Sequence, residues 1–119
     1  MSEPMTQEEM ERRYAAGERP EQLSHEKWTR SPLPETVDGR WFLKYFMSPT
    51  CAMCHDIDKR GLDCKDCRLH EEPYFCCKAW DMMAEAFNNE EEYNQNELKA
   101  IFVCNRNQII DRLRSLCRD

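Results

Sequence analysis

Six of the eight cysteines and two of the three histidines fall between Cys51 and Cys77, in the run CAMCHDIDKRGLDCKDCRLHEEPYFCC. Thiolates and imidazoles are the side chains that hold soft and borderline metals, and the spacing here is that of metal ligands. Cys51-x2-Cys54 and Cys64-x2-Cys67 are separated by nine residues that include the turn-prone Arg60-Gly61. Each C-x2-C turn points two sulfurs into one concavity while the backbone N–H groups that follow can donate to the thiolates. Two such turns place four sulfurs about 2.3 Å from one ion. The expected centre is a tetrahedral Zn2+ site built from Cys51, Cys54, Cys64 and Cys67. It is structural, because four protein ligands leave no position for a substrate. His70, in Cys67-x2-His70, and Cys76 are the alternates for one of the four. Adjacent side chains diverge, so Cys76 and Cys77 are not expected to share an ion, and one of them packs in the core. An iron–sulfur cluster draws on the same thiolates and is the alternative cofactor.

Other cysteine chemistries fit less well. Cys51-Ala52-Met53-Cys54-His55 matches the pattern of covalent haem attachment, which takes place outside the cytoplasm, whereas Met1 to Arg13 lacks the basic-then-apolar plan of a signal peptide. A thioredoxin-like pair needs a strand before it and a longer alternating α/β chain. Disulfides suit an exported chain better than the cytoplasmic one expected here. With three glycines in 119 residues there is no phosphate-binding loop, and there is no H-E-x-x-H. Nothing orients a Cys/His pair towards a substrate, so a non-enzymatic protein is expected.

The elements that must position these ligands are helical. The fold expected is mainly α with little β: a small zinc-stapled domain of two C-x2-C knuckles and a long C-terminal amphipathic helix. Residues 1–36 read as short helices forming an arm, and 37–119 as the stapled core. Thr6-x-x-Glu9 is a capping box, and Gly17 stops the helix that it opens. The thin apolar edge of that helix suggests a solvated arm. His25 stands alone and is expected at the surface. Ser31-Pro32-Leu33-Pro34 is a break, and Val37-Asp38-Gly39-Arg40 reads as a turn. Trp41 to Met47 is the densest aromatic run, strand or helix by its pattern, and packs beside the metal. Trp80, Met83, Ala84 and Phe87 share one face of a helix over Lys78 to Phe87. Asn88 to Glu92 is an acidic, solvated link.

From Leu98 the positions Leu98, Phe102, Asn105, Ile109, Leu113 and Leu116 form one stripe of the last helix. The stripe either folds back on the chain or pairs with its own copy in a homodimer, the polar Asn105 then setting register. Cys104 projects from the opposite face. Lys99, Arg106, Arg112, Arg114 and Arg118 make this helix the one basic surface. The formal net charge of −6 argues against general phosphate-backbone binding, and no apolar run is long enough for a membrane.

Cys51-x2-Cys54, Cys64-x2-Cys67-Arg68-Leu69, a later cysteine pair, Trp80 and an amphipathic C-terminal helix together resemble the small cysteine-cluster proteins of bacteriophages and prophages, over residues 40 to 117. Those proteins often continue Cys-Pro-Leu after the second knuckle, where this chain has Cys67-Arg68-Leu69. The resemblance implies a cytoplasmic, zinc-stapled accessory protein with no catalytic residue. The expected function is protein binding, as a phage-encoded inhibitor of a host protein such as a defence nuclease. Aromatic Trp41, Phe42 and Tyr45 are candidate anchors. Glu71, Glu72, Glu90 and Glu91, with Asp81, Glu85 and Glu92, are candidates for an acidic face that mimics nucleic acid. The alternatives are a zinc-dependent nucleic-acid binder using the basic helix and an iron–sulfur redox protein.

Overall fold

A computed structural model describes residues 5–30, 33–47, 50–74 and 76–118, with the backbone alone at Cys64. The expected break begins at Ser31 and Pro32, outside these residues. Six α-helices follow one another: α1 (Gln7–Ala15), α2 (Pro20–Thr29), α3 (Gly39–Phe46), α4 (Ala52–Lys59), α5 (Lys78–Asn88) and α6 (Gln95–Cys117), with 3-10 turns at Cys64–Asp66 and Glu90–Glu92. No strand occurs among the described residues, so the mainly helical expectation holds. Among them, too, no helix is long and apolar enough to cross a membrane.

Local chemistry sets the helix ends. Thr6 Oγ1 accepts the Glu9 N–H at 3.1 Å, and Gly17 closes α1 with a φ of +100° that other residues rarely adopt. Pro20 opens α2, where its missing N–H costs nothing. The supposed turn at Val37 to Arg40 is instead the start of α3, because Asp38 Oδ1 accepts the Trp41 N–H at 2.8 Å. Gly39 suits the close approach there: a Cβ would stand 3.1 Å from the Phe87 carbonyl oxygen and 3.0 Å from Glu90 Oε1, so a neighbour would have to give by a few tenths of an ångström. A capping box of Asn94 and Glu97, with N–H to oxygen distances of 2.8 and 2.9 Å, opens α6.

Packing is organised by α6, which lies against both α2 and α5. Leu98, Phe102, Ile109 and Leu113 are buried in this chain's own core. The stripe is therefore filled in cis, one of the two outcomes its width allowed. Leu116 packs at the margin of the core, and Asn105 donates through Nδ2 to the Ile101 carbonyl at 2.8 Å, so it satisfies itself within the helix. Rings from four segments meet at the centre: Trp28 stacks on Phe46 at 4.8 Å, Phe42 on Phe87 at 4.9 Å, and Trp41 meets Phe102 edge-on at 4.9 Å. The aromatic run is helical as far as Phe46 and supplies core, with Phe42 and Phe46 buried.

The N-terminal helices are not a solvated arm, and residue 36 is not a packing boundary. Trp28 belongs to the main core, while Met5, Met10, Leu23 and Ala52 form a second cluster between α1, α2 and α4. His25 is half-buried with an unmatched Nε2, not a surface residue. Ion pairs lace the outside of this corner. Arg13 reaches Glu9 at 3.1 Å, Glu18 at 2.7 Å and Glu26, and Arg30 reaches Glu9 at 2.8 Å and Glu26 at 3.3 Å. Hydrogen bonding to Arg30 holds Glu9, and hydrogen bonding to Arg13 holds Glu26, below the ordinary carboxylate value of 4.5.

Carboxyls depressed in the fold contribute stability above their unfolded value and lose it as pH falls through the folded one. Arg13→Met is therefore expected to destabilise the chain at pH 7, by on the order of 1 kcal/mol for its half-exposed pairs with Glu9 and Glu26. The difference from the unmodified chain should close below about pH 3. Thermal scans by circular dichroism at the two pH values check this, and an equal gap at both would remove the ion pairs from the account.

Candidate metal centre

The chain reverses after α4 because Gly61, at φ +72°, lets the Leu62 N–H reach the Ile57 carbonyl at 2.9 Å. The return strand of loop then runs past the start of α4. The His70 N–H donates to the Cys67 carbonyl at 3.0 Å, a tight turn with the two residues at its ends. The Glu71 N–H donates to the Cys76 carbonyl at 2.9 Å, closing the loop that contains the cis Glu72–Pro73 bond, and the Cys76 N–H donates to Asp81 Oδ1 at 3.2 Å. Arg112 on α6 ties the loop down, donating to the Leu69 carbonyl at 2.8 Å and to Glu71 at 3.0 Å.

This folding places Cys51, Cys54, Cys67, His70, Cys76 and Cys77 around one cavity of about 30 Å³. Apart from Lys27 its remaining walls are apolar: Trp28 from α2, Phe46 from α3, Leu69 from the loop, Trp80 from α5 and Ile109 from α6. The structure pairs none of these cysteines in a disulfide. Three of the four expected ligands, Cys51, Cys54 and Cys67, thus share a cavity with both alternates, His70 and Cys76. The Cys64 side chain lies outside the described residues. Among the described residues no three ligand side chains stand close enough together to grip a single ion as they are placed.

The electrostatics favour thiolate at Cys51 and Cys77. Cys51 caps the N-terminus of α4. Its thiol is pulled well below the usual range by the Cys54 side chain, the Lys27 charge and the N–H groups of Cys54 and Met53, against the cost of burial. Cys77 caps α5, its Sγ accepting the Trp80 N–H at 3.5 Å. Cys76 donates its proton to Cys77, which raises the first thiol and lowers the second.

Lys27 is the residue that the sequence analysis passed over. It is 2% exposed, lines the same cavity, and donates to the Thr50 carbonyl at 3.1 Å and to Thr50 Oγ1 at 2.5 Å. Burial pushes its ammonium down to about 8, and the charges of Cys51 and Cys54 hold it up. A signal was present: Leu23, Ser24, Lys27 and Trp28 share one helical face, and all four are buried. A lysine inside an apolar stripe calls for a buried anion.

His70 is 11% exposed, and its Nδ1 is buried with no hydrogen-bond partner, while Nε2 lies 3.1 Å from Glu72 Oε1. A carboxylate on the far nitrogen fixes the ring, as it does in histidines that bind metal. The donor set of soft thiols, a fixed imidazole and a buried cation fits a thiolate-bound metal.

The expected partner-binding residues are scattered. Phe42 is core, and Trp41 and Tyr45 are half-buried against it. Glu71 accepts from Arg112 and, at 3.0 Å, from the Lys78 N–H, so it holds the loop. Glu90 accepts the Gly39 N–H at 3.2 Å and joins α3 to the end of α5, so the acidic link is partly structural. Glu72 and Glu91 are exposed. Arg112, counted with the basic surface, is spent on the loop. Cys104 is exposed, as its helical phase requires. What the sequence did not single out is a trough of about 510 Å³ between α3 and α5, where Leu43 and Met82 are 54% and 48% exposed. No protein-family model, curated protein or solved structure matches this chain.

Proposed function

We propose that this chain is a non-enzymatic, metal-stapled helical module that acts by binding another protein. The convergence of thiols from three separate segments, with His70, on one apolar-walled cavity beside a buried lysine carries this reading. Zn2+ is the ion that the paired C-x2-C spacing calls for. Its role is structural: the segment between α3 and α5 contains one short helix and a loop with little apolar surface of its own, and a metal supplies the missing cohesion. Mass spectrometry of the purified chain under native conditions, with thiol counting before and after chelation, tests the staple. Bound metal that masks about four thiols supports it, and no metal with every thiol reactive overturns it.

The binding surface is the trough between α3 and α5. Asp81 and Glu85 line it beside Leu43 and Met82, and the exposed Glu91 and Glu92 follow its last lining residues in sequence. An apolar floor with an acidic rim fits an amphipathic segment of a partner that carries leucine-like anchors and basic flanks. Such a partner suits the phage-inhibitor role, with a basic host protein such as a defence nuclease as target. A designed Leu/Lys amphipathic peptide is the probe. Binding at roughly micromolar Kd that falls at least tenfold in a Leu43→Asp, Met82→Asp double variant is the expected result. Both positions are exposed, so the double variant should lose no more than about 1 kcal/mol of stability, about 0.5 for each position. Equal affinity for the two chains would remove the trough from the proposal.

A further inference from the structure

We propose that the zinc of the staple is held by three thiolates and one imidazole: Cys51, Cys54, Cys67 and Nδ1 of His70, with Glu72 orienting the ring and Lys27 as the buried counter-charge. This rests on reading the cavity as a zinc centre and names the atoms that hold the ion.

Cys51 and Cys54 already stand as a pair, since their side chains share a hydrogen bond at the start of α4. That is the spacing of two sulfurs on one ion. Cys67 and His70 form the second pair. The His70 N–H on the Cys67 carbonyl closes a turn that carries both residues to the same cavity, so the two-residue gap serves a cysteine and a histidine as it serves two cysteines. Arg112 holds the chain on either side of the ring, through the Leu69 carbonyl and the Glu71 carboxylate. As placed, no three of the described ligand side chains reach single-ion distance, so the ion must draw the Cys67–His70 turn onto the Cys51–Cys54 pair.

Two observations select the imidazole over a fourth thiol. The first is an unanswered lone pair. His70 Nε2 lies 3.1 Å from Glu72 Oε1, and a carboxylate only accepts, so that nitrogen carries the proton. Nδ1 of the neutral ring is left with a lone pair that is buried and has no hydrogen-bond partner, on a residue that lines the cavity. Buried polar atoms seldom go unmatched, and a metal ion supplies the match. His25 also has an unmatched nitrogen, and His55 packs edge-on against Tyr14 at 4.9 Å, but neither lines this cavity. Cys76 has a partner already: its thiol donates to Cys77, whose sulfur caps α5.

The second observation is charge. Zinc with three thiolates and a neutral imidazole carries one net negative charge, and with four thiolates it carries two. The cavity walls are apolar apart from Lys27, whose ammonium is buried and whose charge acts on both Cys51 and Cys54. One cation balances the first ligand set. It leaves the second with an uncompensated buried charge, which is costly in apolar surroundings.

X-ray absorption at the zinc edge of the zinc-loaded full chain is the test. Three sulfurs at about 2.3 Å and one nitrogen at about 2.0 Å are expected. His70→Cys should keep its zinc and read four sulfurs. Glu72→Ala should read as the unmodified chain but hold zinc at least about tenfold more weakly in competition with a chelator. The spectrum of the unmodified chain decides the matter if His70→Cys fails to fold. Four sulfurs around the ion of the unmodified chain, or a nitrogen that persists in His70→Cys, overturns His70 as a ligand and leaves the staple standing. Equal affinity in Glu72→Ala overturns the part given to Glu72. A chain that takes up no zinc overturns the staple as well.

Discussion

On the proposed metal staple, Cys67→Ser is expected to strip the metal from the chain and to melt the segment between α3 and α5. Cys67 sits on the loop that returns from α4, and its turn with His70 brings both residues to the cavity lined by the thiols of α4. A serine hydroxyl is a hard, weakly acidic donor and does not replace a thiolate at a soft metal. The free energy with which a structural metal is held, about 10 kcal/mol or more, is folding free energy. It matches the whole net stability of a small domain, about 5–15 kcal/mol. Loss of one ligand should therefore abolish the cooperative thermal transition of this region, not merely lower its midpoint. Metal content, circular dichroism and amide exchange over residues 51–77 measure the effect, with Cys104→Ser as the exposed control. Unchanged metal and an unchanged melting curve in Cys67→Ser would sink the staple, whichever metal fills it.

The helices were legible because their signals are local. Thr6 and Glu9 act within one turn of each other, and the stripe from Leu98 to Leu113 repeats at the helical period. Reading failed where the deciding partner is remote. Asp38 looked like a turn residue because a cap and a turn use the same side chain, and only the packing of Gly39 on the Phe87 carbonyl chooses between them. Residues 1–36 looked like an arm because α1 and α2 are apolar on narrow faces. Their partners, Ala52 and the rings of Phe46 and Phe102, lie far along the chain. The cysteine cavity proposed as a metal centre drew notice in the sequence as a set of ligand types, since C-x2-C spacing is itself a local geometry. Which thiols meet was not, because Cys76 arrives through the loop closed by Glu71, and Lys27 through α2. Glu71 and Arg112 looked like surface charges for the same reason: each finds its partner across 41 residues of sequence.

Phe102→Ala is expected to cost more than any other single truncation in the aromatic core. Phe102 is fully buried at the point where α6 crosses the other helices. Its ring lies 4.9 Å from Trp41, 5.1 Å from Phe46, 6.3 Å from Trp28 and 6.5 Å from Phe87, so it touches α2, α3 and α5 at once. Rigid neighbours on every side cannot collapse into the space it leaves, and a Phe→Ala change in such a site costs about 3–5 kcal/mol. For a chain of this size that is a fall in melting temperature of roughly 10–20 °C. Phe102→Leu, which keeps most of the volume, should cost about 1.5 kcal/mol or less. Thermal melts of the three chains at several concentrations check two things together. A core filled in cis gives midpoints that do not move with concentration, whereas pairing of α6 with its own copy makes them rise with it. A small effect of Phe102→Ala, or a concentration-dependent midpoint in the unmodified chain, would mean that the stripe on α6 is covered by a second molecule and not by α2 and α5.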